Sequence, residues 1–166
     1  MTKPIIAAVH GYALGGGFEL ALATDIIVAT ASAQFGITEG LVGAISGAGA
    51  VHRASRQLPL KVAMSLILTG RRMDTQEALR LGLVSELAED REQLMVLAEK
   101  WANDILRCSP LFTRAVKAAV TAGLGWPLDV ALETRYELID QMSRSQDSRE
   151  GGAAFRERRA PHWIGR

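Results

Sequence analysis

The chain has 166 residues, 48% apolar and 22% charged, the balance of a soluble globular domain able to bury its own core. A formal net charge of +1 excludes a whole-chain field that would recruit nucleic acid or membrane, and no stretch approaches the about 18 apolar residues of a membrane span. Cys108 stands alone, so an internal disulfide is excluded; it reads as a small buried hydrophobe, and with no signal-peptide pattern after Met1 a reducing, cytoplasmic setting is expected.

Between Pro4 and Gly11, Ile5-Ile6-Ala7-Ala8-Val9 is an apolar, β-branched run that predicts a strand buried on both faces. Gly15-Gly16-Gly17 leads into Phe18-Glu19-Leu20-Ala21-Leu22-Ala23, a stretch of good helix formers. Asp25-Ile26-Ile27-Val28-Ala29 predicts a second buried strand, and Gln34-Phe35-Gly36-Ile37 a third that ends at Thr38-Glu39-Gly40. From about Gly49 the pattern turns helical. Asp74-Thr75-Gln76-Glu77 has capping-box spacing, with Gly82 placed to end that helix, and Leu83-Val84-Ser85-Glu86-Leu87 reads as a brief strand.

Leu94, Leu97, Ala98, Trp101, Ala102 and Ile105 share one helical face, which predicts an amphipathic helix over 91–107. Ser109-Pro110 starts another as N-cap and first-turn proline. Pro127 starts a longer one running towards Gln146. There is no repeat, low-complexity tract or linker. The expected organisation is an α/β core over 1–90 and a helical region over 91–166.

Nine of the sixteen glycines lie between Gly11 and Gly49, which suggests close backbone or ligand approach there. Three in succession at a strand-to-helix junction can make a tight turn and nothing more. They can also expose helix-start amides to an anion, and Gly16, lacking a Cβ, would let a carbonyl reach its N–H as it becomes an oxyanion. Glu19, in the helix's first turn, complements the helix dipole in any case. Its neighbours Phe18, Leu20, Ala21 and Leu22 leave little polar surface, and Glu39 lies among Gly36, Ile37, Gly40, Leu41 and Val42. Two acids in such surroundings suit paired acid–base work, which needs separately tuned groups.

The run from Lys3 to Ala21, with Ile5-Ile6-Ala7-Ala8-Val9-His10-Gly11 and Gly15-Gly16-Gly17-Phe18-Glu19, closely resembles the central motif of the crotonase, or enoyl-CoA hydratase/isomerase, superfamily. The likeness continues through Ala33-Gln34-Phe35-Gly36, Thr38-Glu39, Gly47-Ala48-Gly49, Leu68-Thr69-Gly70-Arg71-Arg72, Ala78-Leu79-Arg80-Leu81-Gly82-Leu83-Val84 and Phe155-Arg156-Glu157-Arg158-Arg159, essentially the whole chain. It implies a ββα spiral followed by a helical trimerisation region, assembled as a homotrimer or dimer of trimers, and an acyl-CoA thioester as substrate. Coenzyme A then enters as part of the substrate and no separate cofactor is implied.

Residue by residue, the resemblance gives Gly16 the oxyanion amide, with Gly15 beside it in the substrate site. Glu19 and Glu39 become the acid–base pair, and the Gly47 amide helps to hold the water. Phe155 and Arg158 would reach a neighbouring subunit's coenzyme A, whereas the basic tail read by itself is a solvated helix end. Isomerases of the family keep an acid at the Glu39 position and lack the Glu19 one, so the pair favours reversible hydration. The alternatives are a carnitinyl-CoA dehydratase or isomerase type of activity, or a non-catalytic subunit.

Three departures stand out. His10 replaces the usual Asn, and Ala50 stands where Gly is frequent. Ser46 replaces a proline before Gly47, which predicts a looser water-holding loop. Family members also carry a segment ahead of the position of Lys3 that supplies the second oxyanion amide and much of the coenzyme A surface. A shortened chain is therefore expected. His10, His52 and His162 lack metal-ligand spacing, so no metal is assigned.

Overall fold

A computed structural model describes residues 1–166, which form two compact units, one of 5–102 and one of 1–4 with 103–166. The first unit repeats a single step. Strand β1 (Ile6–Val9) passes through His10-Gly11 into β2 (Tyr12–Leu14), and helix α1 (Gly16–Leu22) follows. Strand β3 (Ile26–Thr30) then passes into β4 (Gln34–Gly36), followed by a short 3-10 helix, Glu39–Val42.

β3 lies parallel to β1, with Ile6 opposite Ile26, and β4 lies parallel to β2, with Ala13 opposite Phe35. Each step thus adds one strand to each of two sheets, which is a ββα spiral. β6 (Glu86–Ala88) extends the first sheet parallel to β3, and β5 (Arg72–Asp74) pairs antiparallel with β4.

The first sheet is apolar on both faces, as its sequence requires, although β1, at the sheet's edge, is half-buried throughout rather than buried as expected. Ala7, Val9, Ile27 and Ala29 join the main core with Phe18, Leu22, Phe35, Leu66 and Met73. The alternate residues Ile6, Ala8, Ile26 and Val28 pack with Leu94, Leu97, Ala98 and Trp101 of α5 (Arg91–Leu106). Phe18 and Phe35 meet with ring centroids 5.7 Å apart at 52°.

β2 and β5 have three residues each and lie outside the expected strands, being too short for a hydrophobic period to register. The expected strand over 83–87 forms later, at Glu86–Ala88, because Leu83 and Val84 are first drawn into the core. Helices α2 (Ala50–Gln57), α3 (Leu60–Thr69) and α4 (Thr75–Arg80) complete the unit. Asp74 caps α4 by accepting the Glu77 N–H at 2.7 Å. The Glu77 carboxylate turns instead to Arg71 (2.7 and 2.9 Å), whose hydrogen bonds hold it below the usual range.

In the second unit, Ser109 caps α6 (Pro110–Gly123), its Oγ accepting the Leu111 N–H at 3.2 Å. The long helix expected from Pro127 towards Gln146 is instead two, α7 (Leu128–Glu133) and α8 (Glu137–Ser143), and α9 (Gln146–Glu157) follows them. The first break lets Tyr136 stack on Trp126 (6.5 Å between centroids) and donate its hydroxyl to Ala131 O at 3.2 Å. At the second, the Ser145 hydroxyl caps α9 by accepting the Ser148 N–H at 3.0 Å. Cys108 is exposed rather than buried, because it lies in the short link between α5 and α6.

Candidate active site

The turn into α1 needs glycine for two reasons. Gly15 has φ +53° and ψ −123°, a conformation closed to ordinary side chains. A Cβ there would also come within 3.3 Å of Glu39 Oε1 and 3.6 Å of Oε2, so the Glu39 carboxylate packs against bare backbone. The Gly15 N–H ties the turn to β4 by donating to Gly36 O at 2.9 Å, and its carbonyl accepts the Glu19 N–H at 3.0 Å. Gly16 opens α1, so its N–H has no intrahelical acceptor, and no atom lies within 4 Å of where its Cβ would stand.

Glu19 is 7% exposed, on a helix whose Phe18, Ala21 and Leu22 are buried. Its Oε1 accepts two backbone N–H groups, from Ala48 at 2.7 Å and Ala50 at 3.2 Å. Ala50 is the first residue of α2, so the acid sits at the positive end of that helix. Arg53 braces this connection by donating to Ala48 O at 2.6 Å. It lies over Gly49, whose φ is +103° and where a Cβ would stand 2.5 Å from the guanidinium.

Glu39 opens the 3-10 helix and is held otherwise. Its Oε1 accepts the Ser46 hydroxyl at 2.5 Å, while Oε2 is buried and meets no donor of the chain. Oε2 thus keeps its capacity to accept a hydrogen bond, whereas Oε1 is already engaged.

One connection therefore serves both acids. Within three residues it offers the Ser46 hydroxyl to Glu39 and the Ala48 amide to Glu19. Gly15, in contact with Glu39 and bonded to the Glu19 N–H, closes the arrangement from the opposite side. The Gly47 amide, between the two donors, goes to neither acid, and the position its Cβ would take is open. The loop expected to be loose for want of a proline is thus pinned at Ser46, Ala48 and Ala50, with Arg53 behind it.

The remaining two expected residues belong to the second unit. Phe155 is 86% exposed on α9, and Arg158 ends that helix in the left-handed region at φ +54°. No three His, Cys, Asp or Glu side chains gather as a metal site would require, and no helix is long and apolar enough to cross a membrane.

Ser46, Ala48, Ala50 and Arg53 were not among the residues expected to act. Ala48 and Ala50 act through backbone that any residue has, so nothing in their type could announce them. Ser46 did carry a signal, as a lone hydroxyl in a stretch of glycine and alanine.

A ββα spiral carrying a buried and a half-buried acid beside a glycine turn defines a class, and comparison with known proteins agrees with it. The chain belongs to the enoyl-CoA hydratase/isomerase family, which it matches over residues 1–166. It is 41% identical over 165 residues to (E)-benzylidenesuccinyl-CoA hydratase of Thauera aromatica, covering 99% of this chain and 64% of that one. It is 37% identical over 174 residues to carnitinyl-CoA dehydratase of Proteus mirabilis, covering 100% and 65%. An enoyl-CoA hydratase of Mycobacterium tuberculosis superposes with a TM-score of 0.95 at 41% identity, over 99% of this chain and 65% of that one. The chain thus spans about 65% of the length of these relatives, and its fold is the crotonase-like spiral followed by helices.

Proposed function

We propose that this protein is an enoyl-CoA hydratase-like lyase that adds water reversibly across the α,β-double bond of an acyl-CoA thioester. The observation that carries the reading is the bracketing of Glu19 and Glu39 by one loop and one glycine turn. A water between the two acids would give its oxygen to Cβ as one carboxylate takes the proton. A proton delivered from the other acid, or from the same water, completes addition at Cα. The thioester oxygen, negative in between, would take the Gly16 N–H, which has no acceptor within α1, and the absence of a Cβ at Gly16 leaves room for its approach.

The Gly47 amide, free of both acids, suits the water. Gly15 forms part of the substrate wall, and dehydration is the same path reversed. Hydratase and dehydratase relatives support this chemistry. Coenzyme A enters with the substrate and no further cofactor is needed. We place the protein in the cytoplasm.

The helical region 91–166 is proposed to build a homotrimer or dimer of trimers, with Phe155 and Arg158 turned to a neighbour's coenzyme A, where an arginine fork suits phosphate. Phe112, Val116, Val120 and Leu124 stand exposed at four-residue steps along α6, an apolar stripe suited to such packing.

The test is hydration of crotonyl-CoA by wild type, Glu19→Gln and Glu39→Gln. Each substitution is expected to lower kcat by about 100-fold or more. An active wild type whose activity survives both changes would remove the two acids from the mechanism.

A further inference from the structure

We propose that Ser46 is a positioning residue that decides which oxygen of Glu39 exchanges the proton. This inference rests on the hydratase reading above. A carboxylate has two equivalent oxygens and can turn about its Cγ–Cδ bond, so its working oxygen has to be chosen by its surroundings. Here the Gly15 backbone closes one face of the carboxylate, a Cβ there standing 3.3 Å from Oε1 and 3.6 Å from Oε2, so it limits the group's movement without choosing between the oxygens. The Ser46 hydroxyl then occupies Oε1 at 2.5 Å. Oε2 alone keeps its lone pairs free of protein donors, although it is buried. Oε1 therefore anchors the group, and Oε2 is the atom left to take a proton from the attacking water and to return it in dehydration.

Glu19 is held independently of the Ser46 hydroxyl. Two residues on, the Ala48 amide holds its Oε1 at 2.7 Å, so the stretch 46–48 gives each acid its own donor. If the hydroxyl is lost, Glu39 loses the bond that fixes its oxygens while Glu19 stays in place, so the pair loses its mutual geometry with little change in the fold. The hydroxyl bonds Glu39 and no group assigned to the thioester, so the expected loss falls on turnover.

Steady-state hydration of crotonyl-CoA, together with carbon NMR of glutamate carboxyls, tests this on the full chain. Ser46→Ala is expected to lower kcat by at least about tenfold, the worth of one hydrogen bond to a charged group, with KM little changed. The same substitution is expected to move the Glu39 Cδ resonance. Ser46→Thr, which keeps a hydroxyl, is expected to retain the wild-type resonance and most of the turnover.

The proposal is overturned if Ser46→Ala keeps wild-type kcat or leaves the resonance in place. It is also overturned if Ser46→Thr falls as far as Ser46→Ala, or if the loss appears in KM alone. Where Glu39→Gln abolishes turnover and Ser46→Ala does not, only the role of Ser46 falls. A wild type that hydrates no thioester overturns the hydratase reading, and this role with it.

Discussion

Glu19 and Glu39 are both carboxylates among apolar neighbours, yet they are restrained by different means. Glu19 depends on two backbone amides at and just before the start of α2, which only a proline at one of those positions would delete. Glu39 depends on one hydroxyl and on the absence of a side chain at Gly15. Gly15→Ala is accordingly expected to cost about 1–3 kcal/mol from its backbone conformation, and to lower turnover as well by displacing the Glu39 carboxylate. Urea unfolding measures the first effect and hydration kinetics the second. A variant with wild-type midpoint and rate would contradict both. At this scale the acids themselves were legible, because charge in apolar company is unusual. Their donors were not, because an amide's direction depends on where the loop returns in space.

Among the elements, helix starts were the most readable. Asp74 and Ser109 both act as N-caps, at the positions their types and spacing indicated. Asp74→Ala is expected to destabilise the protein by about 0.5–2 kcal/mol, read from the urea midpoint, with Asp74→Ser recovering much of the loss. Helix ends were less readable. The stretch after Pro127 has no glycine or proline to stop it before Ser145, yet it breaks so that Tyr136 can stack on Trp126. Contact between residues ten apart overrode local preference there. Strands β2 and β5 owe their existence to β4, against which both pair, and three residues alone would not specify them.

For the whole molecule, two consequences reach beyond any single element. The first is assembly. If the α6 stripe forms the contact between copies, Val120→Asp should leave a monomer by light scattering, and an unchanged mass would exclude that face.

The second is acid sensitivity of the chain's last residues. Burial pushes the Asp147 carboxyl up, but the Ser109 hydroxyl (2.7 Å) and the Ile164 and Gly165 amides (2.9 and 3.1 Å) outweigh it and hold it below its usual value. Glu150 is held down to about 2 by Arg159 and the His162 amide. Both carboxyls thus lie below their unfolded values of 3.8 and 4.5. Their contribution is whole above those values and is lost as the pH falls, for Glu150 through about 2. The Trp163 indole N–H, bonded to Arg107 O at 2.9 Å, reports this tail in an NMR titration. It is expected to keep its native resonance below pH 4 and to lose it only as the pH falls towards about 2, and Asp147→Asn should release it already at neutral pH. A resonance indifferent to both would show that these carboxylates do not anchor the tail.

The amino-acid sequence by itself determined the apolar strands of the first sheet, the helix starts and the two acids. Each follows from hydrophobic period, capping chemistry or charge read over a few neighbours. The tertiary structure alone decided that the loop after the 3-10 helix returns to hold both acids, that one oxygen of Glu39 is left without a donor, and that the last helical stretch is divided. Those outcomes depend on distances between residues far apart in the chain, and such distances are set only when the sheets and helices have packed.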